Sequence, residues 1–188
     1  MPTTISLNIF VTPFAEKGVE EPAKWSCDAA REVLNVVNAI WSNANVAFAI
    51  KDCAVDKPLD MAKSARSNDQ RLLDALTWRH KPDNFVHVYL VNPIENLDAG
   101  GGSYLDSDPE AASFVQWYDA VAASGRAFAH ELGHLMSLDH IEVNYHDERQ
   151  AALRIGNLMT KGLGVGKDLT AQQIGQVKGS KLVKQFGG

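Results

Sequence analysis

The chain switches repeatedly between two hydrophobic periods, and those switches predict its order of elements. Ile5, Leu7, Ile9 and Val11 alternate with Thr4, Ser6, Asn8 and Phe10, as in a strand with one face on a core. After the start signal Glu20-Glu21-Pro22, Trp25, Ala29, Val33, Val36 and Ile40 recur at helical spacing, predicting an amphipathic helix to about Asn43. Val46, Phe48 and Ile50 alternate again, with Cys53 at the end of that strand. Residues 54–66 carry no period, whereas Ser67-Asn68-Asp69-Gln70 resembles a capping box ahead of Leu72, Leu73 and Leu76. Phe85 to Val91 is aromatic and β-branched enough for a buried strand, closed by Asn92-Pro93. Ala112 to Tyr118 alternates as a further strand, and Ser124 stands where an N-cap would launch the next helix. Thr170-Ala171-Gln172-Gln173 is a second capping-box match, ahead of Ile174, Val177 and a helix that Gly179 shortens.

This order of strands and helices reads as an α/β (α+β) fold. No linker or repeat interrupts it, so residues 1–188 read as one domain. We expect an upper part over about residues 1–136 and a lower part over about 137–188, with a site in the cleft between them.

Composition narrows the function classes. With 188 residues, 45% of them apolar, the chain can bury a sizeable core without staples. The net charge of −5 and the absence of a Lys/Arg cluster argue against nucleic acid as a partner. The longest uncharged run, Val33 to Ile50, contains Asn35, Asn38, Ser42, Asn43 and Asn45, too polar a density for a membrane span. Met1-Pro2-Thr3-Thr4-Ile5 has neither a basic nor an apolar leader region, so a mature form, a cytoplasmic protein or one exported by another route all fit. Cys27 and Cys53 would pair if the fold brings them together, and buried free thiols are the default expectation. Nothing in the pattern specifies an oligomeric state.

The chemistry concentrates in His130-Glu131-Leu132-Gly133-His134, followed by His140. Helix positions four apart share a face, so His130 and His134 present two imidazoles to one metal ion. Glu131 points beside the metal, where its carboxylate can act as general base on a polarised water. An unbroken helix would carry His140 roughly 9 Å past His134, so the chain must turn back after about Ser137 if His140 is the third ligand. Asp139, Glu142, His146 and Glu148 compete for that place. His140 is preferred, because a glutamate ligand is expected from a second helix and residues 142–150 follow His134 too closely. Three imidazoles leave a tetrahedral ion open, as in a catalytic site, and favour zinc over calcium or magnesium without separating it from iron, cobalt or copper.

Other candidates carry less. His87 reads as a sheet histidine rather than a ligand. Asp98, Asp106, Asp108 and Glu110 could hold calcium, but they match no EF-hand loop and read as solvated acids. Gly100-Gly101-Gly102-Ser103-Tyr104-Leu105 suits either a close backbone approach by a bound peptide, with Gly102, Ser103, Tyr104 and Leu105 as the substrate-binding edge, or a plain flexible loop.

The histidine set resembles the metzincin clan of zinc metallopeptidases, whose pattern is His-Glu-x-x-His-x-x-Gly-x-x-His followed by a methionine turn. Ile155-Gly156-Asn157-Leu158-Met159-Thr160 is similar to that turn, which would place Met159 beneath the metal. The resemblance implies a twisted mixed sheet, an active-site helix, an edge strand over the cleft near Gly102 to Leu105, and a C-terminal part with the turn and a last helix. It also puts Leu158 to Gly162, including Thr160 and Lys161, near the wall of the pocket for the residue after the scissile bond. Two positions depart from the clan: Ser137 stands at the glycine that ends the helix, and Lys161 stands where several subfamilies carry a tyrosine. Neither cysteine sits in a latency motif, so an uninhibited catalytic domain is expected. The expected function is zinc-dependent endopeptidase acting on protein or peptide, with one catalytic Zn2+ and Glu131 as base. The rivals are a non-catalytic peptide-binding module and a hydrolase of a non-protein amide such as a cell-wall crosslink.

Overall fold

The computed structural model describes residues 1–16, 18–60, 69–80, 83, 85–94, 101–103, 111–141, 156–161 and 166–186. Its main sheet has the order β4-β1-β6-β8-β7. These strands are β1 (Thr3–Thr12), β4 (Val46–Val55), β6 (Val86–Val91), β7 (Gly101–Ser103) and β8 (Ala112–Gln116). β1, β4, β6 and β8 pair in parallel, and β7 runs antiparallel to β8 at the sheet's edge. All six residues of β6 are buried, as in a strand covered on both faces. A smaller sheet, β3-β2-β5, joins β2 (Phe14–Glu16), β3 (Val19–Glu21) and β5 (Leu59–Asp60).

Helices α1 (Cys27–Trp41) and α3 (Val121–Leu135) share one core cluster with Ile5, Leu7, Ile9 and Val11 of β1. On the opposite side, α2 (Asp69–Thr77) packs Leu72, Leu73 and Leu76 with Tyr89 and Phe114. α1 and α3 cross so closely that a Cβ at Gly125 would lie 2.6 Å from the Cβ of Val36. The chain ends in α4 (Ala171–Gly179) and α5 (Lys181–Phe186), divided after Gly179 as expected. No helix among the described residues is long and apolar enough to cross a membrane.

Three sequence expectations change. α1 begins at Cys27 rather than after Pro22, because Ser26 supplies the cap by accepting from Ala29 N at 3.1 Å. Glu20 and Glu21 belong instead to β3, and Trp25 precedes the helix and meets Trp117 edge-to-face. Ser124 is not an N-cap: α3 starts at Val121 behind Ala120, and Ser124 lies inside the helix, where its Oγ accepts from Tyr118 N and donates to Tyr118 O, both at 3.1 Å. β8 accordingly ends at Gln116, two residues short of Tyr118.

The third correction concerns the cysteines, which form a Cys27–Cys53 disulfide rather than standing as thiols. The topology explains the pairing. β1 and β4 are parallel neighbours joined through α1, so α1 returns antiparallel to both strands and starts beside the far end of β4. The two Cα atoms lie 5.8 Å apart, within the usual range for a disulfide. β4 also runs beyond Cys53 to Val55, past a bulge opposite Leu7/Asn8.

Candidate metal centre

α3 carries His130, Glu131 and His134, and how this helix ends determines where His140 falls. Leu138 N donates to Gly133 O at 3.0 Å and Ser137 N to His134 O at 2.9 Å, the two bonds of a Schellman motif. Ser137 takes the left-handed conformation that this motif needs, at φ 65°, although glycine would adopt it with less strain. The chain reverses there and brings His140 back beside the helix. The Nε2 atoms of His130, His134 and His140 lie 3.1 Å from one another in all three pairs.

The orientation of the rings shows what such a cluster suits. Nδ1 of His130 donates to Leu158 O and Nδ1 of His134 to Leu138 O, each at 2.7 Å. With the proton on Nδ1, the Nε2 atoms of His130 and His134 are both acceptors, so their lone pairs face each other and neither can bond the other. A shared cation resolves this, and bonds of about 2.0–2.1 Å to a tetrahedral zinc would separate the nitrogens by about 3.3–3.4 Å. The triad thus fits a zinc-sized ion, with the backbone carbonyls supplying the outer contacts that fix ring orientation.

Electrostatics keeps the triad ready for a cation. Burial, followed by the neighbouring His130, lowers the His134 pKa from 6.5 to about 4. Burial also lowers His130, and burial together with the Lys161 charge lowers His140. Between pH 6.5 and about 4 the unfolded chain therefore binds a proton that folded, metal-free protein refuses at His134. Chelator-treated protein should lose stability steadily as pH falls through that window. Denaturant midpoints would check this, and a flat profile between those pH values would contradict it.

Glu131 is buried against the edge strand. Ser103 Oγ donates to Glu131 Oε2 at 2.8 Å, and the Ser113 hydroxyl lies 3.1 Å from Ser103 Oγ. A hydroxyl carries one proton, so Ser103 gives it to the carboxylate and can accept from Ser113. Gly101 makes room for this arrangement: a Cβ there would lie 2.4 Å from Phe114 O and 2.6 Å from Glu131 Cγ. The side chain of Ser103 thus turns inward to the acid rather than outward to a ligand. Gly102 stands beside it on β7, the last strand of the sheet, while Tyr104 and Leu105 lie outside the described residues. Burial, then the Glu131 charge, raises the pKa of Tyr118.

Met159 is fully buried beneath α3. A Cβ at residue 133 would come within 2.5 Å of Met159 Sδ, so Gly133 lets the sulfur lodge against the helix between His130 and His134. Ile141 pairs with Thr160 in a parallel bridge, and Ile141 N donates to Met159 O at 2.8 Å, which seats the methionine segment alongside His140. Thr160 is buried and Lys161 exposed at this edge.

The remaining candidates separate from the triad. His87 lies in β6, with Nε2 3.1 Å from Asp83 Oδ1, and edge-on to Phe10. Glu142, His146 and Glu148, and the acids considered for calcium, lie outside the described residues. Sequence reasoning missed Ser113, Tyr118, and the Leu138 and Leu158 carbonyls. Backbone acceptors leave no residue-type signal, and Ser113 reads as an ordinary strand residue.

The chain belongs to the M12B reprolysin-like metallopeptidase family, whose sequence profile matches residues 28–141. This membership makes it a zinc-dependent peptidase acting on protein or peptide. The fold is similar to that of archaemetzincin from Methanopyrus kandleri, at a TM-score of 0.61 and 12% identity over 97% of each chain. It is also similar to metalloproteinase-II from Bacteroides fragilis, at 0.57 and 13% identity over 94% of this chain and 52% of that one. A chain from a chaperone–substrate complex aligns at 0.59 and 14% identity over 100% of this chain and 35% of its own. No curated protein matches the chain in sequence. The metzincin resemblance and the mixed α/β class read from the sequence agree with these findings.

Proposed function

We propose that the chain is a zinc-dependent endopeptidase, with His130, His134 and His140 holding one catalytic Zn2+ and Glu131 acting as general base. The observation that carries this reading is the convergence of three Nε2 atoms 3.1 Å apart, two of them on a helix whose next residue after His130 is a buried, hydrogen-bonded carboxylate. A bound zinc supplies Lewis acidity, which lowers the pKa of water and polarises a carbonyl. Glu131 takes the proton of the attacking water and delivers it to the departing amine nitrogen. Ser103 holds the Glu131 carboxylate in one orientation, and Gly101 allows the edge strand to come down onto it.

The outer edge of β7, at Gly102 and Ser103, offers main-chain groups to an extended substrate and needs no free terminus to do so. We assign Thr160 and Lys161 to the wall around the residue after the scissile bond, and Met159 to the support beneath the triad. The test is profiling against a diverse peptide library, with and without a hydroxamate chelator. Cleavage at internal bonds that the chelator abolishes is expected. Removal of terminal residues alone, or zinc-loaded protein inert towards every peptide, would count against the proposal.

Ser103→Ala should separate positioning from binding. A hydrogen bond to a charged group contributes about 1.5–3 kcal/mol, so kcat should fall about 10- to 100-fold while zinc content stays at the wild-type level. Wild-type kcat in the variant would show that Ser103 does not orient the base.

A further inference from the structure

The C-terminal capping box, which the catalytic reading leaves unused, connects directly to the metal centre. Thr170 Oγ accepts from Gln173 N at 3.2 Å and Gln173 Oε1 accepts from Thr170 N at 2.9 Å, which closes the cap of α4. The same Gln173 amide faces Asn157: Asn157 Nδ2 donates to Gln173 Oε1 at 2.8 Å, and Gln173 Nε2 donates to Asn157 Oδ1 at 3.2 Å. Asn157 Oδ1 also accepts from Met159 N at 2.9 Å, bracketing Leu158, whose carbonyl accepts from His130 Nδ1. Both amides are buried, at 4% and 7% exposure, so the pairing satisfies groups that would otherwise be costly to bury. Leu158 N is held independently by Asp168 O at 2.8 Å, which leaves the tilt of the Leu158–Met159 peptide to the amide pair.

One turn further along α4, Gln176 Nε2 donates to Ser137 O at 3.1 Å. Ser137 immediately precedes Leu138, whose carbonyl accepts from His134 Nδ1. A single short helix therefore grips the residue before each of the two carbonyls that aim the histidines of α3.

We propose that α4 is a clamp on the metal centre, in which Gln173 and Gln176 are positioning residues that set the Leu158 and Leu138 carbonyls and, through them, the His130 and His134 rings. Removal of an outer contact typically weakens metal binding about 10- to 100-fold. These glutamines act one step further out, so each single substitution should sit near the lower end of that range. The inference rests on the triad holding a metal.

The experiment measures Zn2+ affinity by competition with a chromogenic chelator, and the visible absorption of the Co2+-substituted protein, in wild type, Gln173→Ala, Gln176→Ala and Thr170→Ala. Melting of the metal-free forms is recorded alongside. Weaker Zn2+ binding by about tenfold, with a shifted Co2+ spectrum in Gln173→Ala and Gln176→Ala, is expected. Thr170→Ala removes the cap bond but leaves the amide pair, so it should lower melting with little change in the Co2+ spectrum. Wild-type affinity and spectrum in folded Gln173→Ala would overturn the clamp. If that variant does not fold, wild-type values in the exposed Gln176→Ala would overturn it equally. Wild-type protein that binds neither ion would instead sink the proposed metal site itself, which keeps the two failures apart.

Discussion

Glu131→Ala is expected to lower kcat by about 10²- to 10⁴-fold while zinc content remains that of the wild type, the range for losing a positioned general base. The separation follows from geometry. The three Nε2 atoms meet one another without any contribution from Glu131, and the His130 and His134 rings are aimed by the Leu158 and Leu138 carbonyls. Glu131 instead faces the edge strand, with its carboxylate on Ser103 and its Cγ packed where a Cβ of residue 101 would fall. Deleting the carboxylate should empty space beneath β7 without touching the histidines. Measuring kcat together with metal content checks both halves. A variant that loses its zinc would show Glu131 to be part of the metal's support, and one that keeps turnover would show that another group accepts the proton.

Cys27→Ala/Cys53→Ala is expected to lower stability by about 2–4 kcal/mol, because the bond closes a loop with a sequence separation of 26 in the unfolded chain. For a domain of this size that corresponds to a fall in Tm of about 4–16 °C. The bond ties the start of α1 to the end of β4, and α1 supplies Trp41, whose Nε1 donates to Ala129 O of the ligand-bearing helix at 3.2 Å. Loss of the bond should therefore lower the temperature at which activity fails, with kcat at ambient temperature unchanged. Calorimetry of the oxidised wild type and the double variant measures it, and coincident melting curves would contradict it.

The fold and the site differ in how far the sequence reveals them. The helix that carries His130 and His134 was legible because periodicity is local: histidines four apart share a face whatever the rest of the chain does. His140 required one non-local step, a reversal after Ser137, and the structure builds it as a Schellman turn with a serine in the left-handed region. β1, β4 and β8 were legible from their alternation and β6 from its run of aromatic and β-branched residues, and α1 was misplaced at its start only because Pro22 is a louder signal than Ser26, the residue that caps it.

The cysteine pairing was not legible, since it depends on α1 returning antiparallel to β4, a consequence of topology that neither residue's neighbours report. The roles of Ser103, Gln173 and Asn157 were hidden for the same reason. Each side chain finds its partner across 16 residues or more, and its own neighbourhood shows only a glycine-rich edge, a capping box and a turn. Ser124 failed in the opposite direction. A good N-capping residue was captured by Tyr118 and buried inside the helix it was expected to begin.

The central claim, that this triad holds a zinc ion that works with Glu131 on peptide bonds, is met most directly by metal analysis and peptide cleavage on the same purified sample. The account predicts one zinc per chain in both wild type and Glu131→Ala, with internal peptide bonds cut only by the wild type and only in the absence of chelator. One zinc per chain in a wild type that cleaves no member of a diverse peptide library would contradict it.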